Sequence, residues 1–582
     1  MKCDFSSNLN TEVIPQIFKS RIMNLKNNKL KKNNWHEYLI PLLATLTLLI
    51  LCIIISSKRF FWFDELISYY VLNDRSFSHM MVAFHDKLNN TPPLYFILGW
   101  VWAKVFGSTE LSLRLFSSLG MCIAFVTAWI TLRRAYAFWP ASVGTLAVFC
   151  TSELFIHQNS EARMYGLFLA LCSLGLFQFD VINRSFKCSK NKIWLNACIH
   201  AAIVQTHLFG IFYSGAILLS FISRDKYFNI FRPKIYLSII LSWLSLILYI
   251  PSFLNQADAG KPRTWIPIPS LADLINLVNN NTGSQSFSNA VPSLFNIIIL
   301  FLIVISSLLF ISRAKLQPNF QDIHAPISLL IFAYFFLAIP FGIWIISLTI
   351  KPIFVARYMM PSMLGLSIIL AYFCSVIISL GQSSKKINLK FLNFGSLWIT
   401  PQSILLSALM AILLLTPIFY AITISPEQFP GINDNKYGFK NLPIVAQPSN
   451  DFIQRSHYSP ERQRYFFILD WQSALDRRSG LLPTQIYKVM DAFKRNYPEV
   501  FEQNVRQSKD FLKTYKRFLV LDSLEEKKCT LDRTIKDLDC PQWLNTRILN
   551  NPDYKVTYLG QIDDRKILGT IDSKKLLLVE KK

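Results

Sequence analysis

Residues 37–65 read EYLIPLLATLTLLILCIIISSKRFFWFDE. The run 37–57 matches the ~20 apolar residues an α-helix needs to cross a bilayer. It gives way to Lys58-Arg59, an aromatic cluster and two adjacent acids, Asp64 and Glu65. Further runs of span length lie at 111–131, 141–157, 163–181, 235–253, 291–311, 326–350, 358–379 and 401–424, with shorter pieces at 93–106, 193–206 and 207–222. Of 582 residues, 52% are hydrophobic and 16% charged, where soluble domains carry about 25% charged residues. The apolar surplus lies in blocks between 37 and 424, which excludes a soluble multidomain enzyme. An aromatic content of 14% excludes a disordered chain.

The expected fold is mainly α, a polytopic membrane bundle of about 11–12 helices with a small soluble α/β or α+β domain behind it. Residues 1–36 form a basic tail, 37–425 the membrane module and 426–582 the soluble domain. In that last part a helix-like stretch spans about 484–516, and strand-like runs lie at 517–521, 555–560 and 576–580.

The chain carries 60 Lys and Arg against 36 Asp and Glu, a net charge of +24. Such an excess fits nucleic-acid binding or the basic cytoplasmic loops of a membrane protein, and its placement decides. Arg133-Arg134 and the loops 183–192, 223–234, 312–325 and 380–398 hold the dense Lys and Arg, and all fall on the side of the N-terminus. The positive-inside rule then puts the N-terminus in the cytoplasm and 426–582 outside. No nucleic-acid partner is expected. The scheme holds only if one apolar piece between 58 and 133 stops short of crossing, and 93–106 is the shortest. The first span is expected to serve as an uncleaved start anchor.

Ten cysteines include no CxxC pair, so a zinc ribbon is not expected. Cys529 and Cys540 in the outer domain either pair as a disulfide or remain free thiols.

The chemistry-bearing residues gather on the outer side of this topology, which was drawn without them. Asp64 beside an aromatic cluster is a carboxylate suited to work as a base; the plainer reading is a solvated acid beside an interfacial aromatic belt. Ser160-Glu161-Ala162-Arg163-Met164-Tyr165-Gly166 opens a span, with an Arg whose fork of donors suits phosphate; the plainer reading is an interfacial Arg. His207 separates two short apolar pieces, Lys87 follows His85-Asp86, and Arg357-Tyr358 opens another span. Ser270 with Asp273 has the spacing of a helix start. Acids and cations at one lipid–water boundary suit a reaction on an anionic lipid-linked substrate.

With these residues in order along 37–380, the chain resembles the polytopic GT-C glycosyltransferases that use polyprenyl-phosphate sugars. These include the protein O-mannosyltransferases, the lipid A aminoarabinose transferases and the Rgt-type lipopolysaccharide glycosyltransferases. The matching pieces are Asp64-Glu65, Pro92-Pro93-Leu94-Tyr95, Glu161-Ala162-Arg163-Met164-Tyr165-Gly166, Thr206-His207 and Arg357-Tyr358. Many relatives carry His where this chain has Thr91.

The resemblance implies an inverting sugar transfer to an acceptor hydroxyl on the outer face of a membrane, with the bacterial inner membrane as the expected location. It implies Asp64 as the catalytic acid of the first outer loop, with Glu65 beside it. Arg163, Arg357 and Lys87 are expected on the donor phosphate, and Glu161, Tyr165, His207 and Tyr358 elsewhere in the same pocket. No metal or other cofactor is inferred. The rival reading is a transporter or flippase of lipid-linked sugars, against which stands the lack of an internal repeat.

Overall fold

The computed structural model describes residues 38–185, 189–259, 261, 266–281, 324–380, 387–388, 398–399, 401–475, 483–523, 543–567 and 570–582. Among these, the helices long and apolar enough to cross a membrane number seven, or eight if Phe138–Phe149 and Glu153–Asn159, bent by 71°, form one broken span. The described count is therefore lower than the expected eleven or twelve. The span expected at 291–311 lies outside the described residues. Helices Lys190–Thr206 and Gly210–Tyr227 form where short spans were expected, but the first is 17 residues long and the second ends on Arg224, Asp225 and Lys226. Leu94–Phe106 is a helix of 13 residues, about 20 Å at 1.5 Å per residue. That is short of a ~30 Å hydrocarbon core.

The first span, α1 (Leu39–Ser56), ends before a short extended stretch that leads into α2 (Phe63–Leu72). The long helix α3 (Glu110–Ala135) starts at Thr109, whose hydroxyl accepts the Ser112 amide at 3.2 Å. It ends on Arg133 and Arg134, cations that complement the carboxyl end of a helix dipole. Against it lies α4 (Tyr165–Asn183). The two approach through small residues: a Cβ built on Gly166 would stand 2.0 Å from the Ser117 carbonyl oxygen, and one on Gly120 2.4 Å from the backbone of Gly166. Packing this close needs glycine at the crossing, as in other membrane helix pairs.

At one end of the bundle the basic loops meet buried acids. Arg134 and Arg184 both bind Asp180 at 2.7 Å, while Arg224 and Arg232 bind Asp225. Of the loops assigned to one side by charge alone, those around Arg134, Arg184 and Arg232 share one end of the fold, with Arg232 reaching Asn183 Oδ1 at 2.6 Å; 312–323 and nearly all of 381–397 lie outside the described residues.

After α5 (Pro401–Thr423) the chain builds a six-stranded mixed sheet. Strands β1 (Ile444–Ala446), β2 (Tyr465–Leu469), β3 (Val505–Gln507) and β4 (Arg517–Ser523) are parallel, in the order β3-β2-β1-β4. The hairpin β5 (Tyr554–Ile567) and β6 (Thr570–Lys581) adds two antiparallel strands beside β4. Strands β1 and β2 are buried throughout, as expected of parallel strands covered on both faces. The helix expected over 484–516 is divided: Pro483–Asn496 is helical, and Tyr497-Pro498 breaks it before β3 and a short helix at Ser508–Thr514. Proline lacks the amide that helix continuation needs. Helix α6 (Ser449–Tyr458), which follows β1, faces the membrane module. Cys529 and Cys540 lie outside the described residues.

Candidate active site

The site is built on the first turn of α2. Trp62, the residue before it, is extended and has no side-chain oxygen to cap the helix. Asp64 and Glu65 occupy the first turn, where unpaired amides favour negative charge. They are adjacent in sequence but point into different surroundings.

Glu65 is buried in a fully satisfied pair. Arg114, from α3, donates Nε to Glu65 Oε1 and Nη2 to Oε2, each at 2.8 Å. The Ala162 amide adds a 2.8 Å bond to Oε1. Arg114 also donates Nη1 to the carbonyl of Arg59 (2.8 Å) and Nη2 to that of Phe60 (3.0 Å). With side-chain exposures of 1% and 2%, neither partner reaches a substrate. This corrects the expectation that Glu65 takes part in the chemistry: its charge ties the segments around residues 60, 114 and 162 together. Arg114 was not singled out in the sequence, although a lone Arg in an apolar helix requires a buried partner.

Asp64 is 18% exposed. Its Oδ2 accepts from Arg357 Nη2 at 3.0 Å and lies 3.9 Å from Arg163 Nη2. Arg163 Nη1 donates to the Asp64 carbonyl (3.0 Å) and to Ser68 Oγ (3.1 Å), while its buried Nε has no hydrogen-bond partner. Ser117 fixes Arg163 from behind, donating to its carbonyl at 2.6 Å. Arg357 lies at the start of a 3-10 turn, Ala356–Ser362, that leads into the next span. Its guanidinium sits 5.6–5.9 Å from the ring centres of Trp62, Tyr165 and Tyr358. Three aromatic faces can hold a cation there.

Tyr358, Tyr165 and Phe168 surround His207, with Tyr358 closest at 4.8 Å between ring centres. His207 Nδ1 accepts the Phe209 amide at 3.1 Å. Burial, and then the charges of Arg163 and Arg357, push its pKa down to about 3. The imidazole is therefore neutral, and with Nδ1 accepting, its proton sits on Nε2. Glu161 accepts from Gln158 Nε2 at 3.0 Å. Burial first, then the carboxylates of Glu65 and Asp64, push its pKa up to about 7, against the pull of Arg357.

Lys87 is placed differently from the expectation. Its Nζ binds Asp258 Oδ2 at 3.0 Å, and Lys488 from the C-terminal domain binds the same oxygen. The cation is spent on fastening a helix end, so its assignment to the donor phosphate is withdrawn. Among the described residues, no group of three or more His, Cys, Asp or Glu side chains is placed to hold a metal ion.

No protein-family model matches the chain, and no curated protein matches it in sequence. Among solved structures, the chain is similar to ArnT from Cupriavidus metallidurans in the apo state, with a TM-score of 0.50 and 11% sequence identity over 92% of this chain and 97% of that one. It is also similar to ArnT from the same organism bound to undecaprenyl phosphate, with a TM-score of 0.49 and 12% identity over the same shares. At such identity the likeness is one of architecture. The chain shares the overall fold of ArnT.

Proposed function

We propose that this protein is an integral-membrane glycosyltransferase that moves a sugar from a polyprenyl-phosphate donor to an acceptor hydroxyl at the extracytoplasmic face. The observation that carries this reading is the convergence of Asp64, Arg163 and Arg357, from three distant stretches of chain, on one partly open carboxylate. The shared fold with ArnT is consistent with it.

In this reading Asp64 takes the proton of the acceptor hydroxyl. The freed oxygen attacks the anomeric carbon, the bond from that carbon to the phosphate oxygen breaks, and polyprenyl phosphate leaves. A single displacement of this kind inverts the configuration. Negative charge grows on the departing phosphate, and donors fixed in advance at that point lower the barrier most. The guanidinium groups of Arg357 and Arg163, both turned toward Asp64, supply them. Arg357 now holds Asp64; an arriving phosphate competes for the same guanidinium and releases the carboxylate to the acceptor. His207, neutral at working pH, offers Nε2–H without adding charge. No metal or cofactor is assigned.

The test compares membranes of the source cell with and without the gene, and with Asp64→Asn, by mass spectrometry of envelope glycans and lipids. One sugar is expected to disappear in both the deletion and the variant. Near-full transfer by Asp64→Asn would falsify the assignment. A labelled donor that crosses the bilayer but is never consumed would favour a flippase.

A further inference from the structure

The backbone just ahead of Asp64 is held largely by the C-terminal domain. Phe63 is the first residue of α2, and its amide is one of those a helix start leaves without an internal partner. Asn450 Oδ1, from α6, accepts it at 2.9 Å. One turn further along α6, Gln454 Nε2 donates to the Phe61 carbonyl at 2.7 Å. At the end of the same helix, Tyr458 Oη accepts the Phe61 amide at 2.9 Å and donates to Glu110 Oε1 at 2.8 Å. Glu427 completes the set by accepting the Phe60 amide at 2.9 Å.

Apart from the Tyr458–Glu110 bond, these bonds reach main-chain atoms of residues 60–63. Away from this segment, Lys488 binds the Asp258 carboxylate and the main-chain carbonyls of Asp258 and Lys261, and Arg495 pairs with the Asp86 side chain at 3.0 Å. Simple adhesion needs only such side-chain pairs. Bonds to successive backbone groups fix the dihedral angles of the segment, and with them the direction in which the next side chain, Asp64, leaves the helix. An N-cap is usually a hydroxyl or carboxamide of the preceding residue; here Trp62 has neither, and the cap comes from 387 positions away.

We infer that α6 is a positioning device for the reaction, with Asn450 and Gln454 setting the register of the segment that presents Asp64. The inference rests on the glycosyltransferase reading. It assigns the C-terminal domain a part in turnover, while the donor phosphate is left to Arg163 and Arg357 of the membrane module.

The test uses full-length protein in four forms: wild type, Asn450→Ala/Gln454→Ala, Asn450→Asp and Arg495→Ala. Three quantities are read: sugar transfer in the complemented deletion strain, binding of undecaprenyl phosphate to purified protein, and hydrogen exchange of the amides of residues 60–66. The double variant is expected to exchange these amides at least about fivefold faster and to lose about tenfold or more of transfer, with undecaprenyl phosphate affinity within about threefold of wild type. Asn450→Asp keeps an acceptor for the Phe63 amide and restores transfer. Arg495→Ala loosens the domain elsewhere and keeps transfer. Full transfer by the double variant overturns the inference, as does a parallel loss of binding, or an equal loss in Arg495→Ala. Wild-type protein that bound no undecaprenyl phosphate would overturn the parent reading and this inference together, a result distinct from the others.

Discussion

Arg357 Nη2 stands 3.0 Å from Asp64 Oδ2, joining positions 293 residues apart. The bond brings a span in the second half of the module onto the segment that follows the first span. Removing the carboxylate charge is expected to cost about 10²–10⁴-fold in transfer, the usual contribution of a general base. Asp64→Asn keeps the side chain's size and the first-turn position, so its unfolding temperature in detergent should stay close to wild type. Transfer per folded molecule is the measurement that checks it.

Arg357→Lys tests the shape of the cation. Lysine retains the charge but loses the planar fork that spans two oxygens and stacks on aromatic rings. Transfer is expected to fall by at least about tenfold, with a weaker loss of undecaprenyl phosphate binding than in Arg357→Ala. Equal behaviour of Lys and Arg would show that charge alone matters.

Glu65 and Arg114 should act on stability before activity. Leaving one member of a buried pair without its partner typically costs about 3–5 kcal/mol. Glu65→Gln and Arg114→Met are each expected to lower the unfolding temperature and the yield of folded protein, where Asp64→Asn does not. The double variant Glu65→Leu/Arg114→Met should be more stable than Arg114→Met, because no lone charge remains. Thermal unfolding of the purified proteins separates these cases.

The pH response has a defined sign. Glu161 is raised from 4.5 to about 7 in the folded protein. Below about 4.5 both folded and unfolded forms carry the proton; between about 4.5 and 7 the folded form alone keeps it. Its contribution to stability therefore falls as pH rises through that window and levels off above it. Glu161→Gln should flatten this part of the profile and gain on wild type above about pH 7, as read from unfolding temperatures across the range.

Lys87→Ala should keep transfer within a few-fold of wild type, because Lys87 engages Asp258 and leaves Asp64 to Arg163 and Arg357. A tenfold loss of transfer, with the unfolding temperature unchanged, would return Lys87 to the site.

Legibility followed the range of the interactions. Apolar runs of span length mark membrane helices because each must satisfy its own backbone in lipid, and most of those expected are present. The loops around Arg134, Arg184 and Arg232 sort to one end by charge alone, since orientation is set by Lys and Arg counts rather than by packing. The residues around Asp64 were found as short motifs, but their division of labour was not readable. Nothing in the dipeptide Asp64-Glu65 says that one acid faces a partly open pocket and the other is sealed against Arg114. That depends on α3 and on Ala162, which meet there only in three dimensions. Lys87 misled for the same reason, its partner Asp258 being supplied by a remote helix. The ties of Asn450, Gln454 and Tyr458 leave no trace in composition or spacing, because a side chain bonded to a main-chain group imposes no residue type on its partner.

Lys58, at the end of the first span, donates to the carbonyls of Ala421, Ile422 and Ile424 at the end of the last, each at 2.9 Å. The opening and closing helices of the module are thus buttoned to one another. During synthesis, the segment 58–63 emerges early and waits for partners that lie 363 or more residues further along the chain. Asp64 therefore gains its full set of supports late in biogenesis, and a truncated polypeptide is expected to insert its helices with the segment ahead of Asp64 incompletely held.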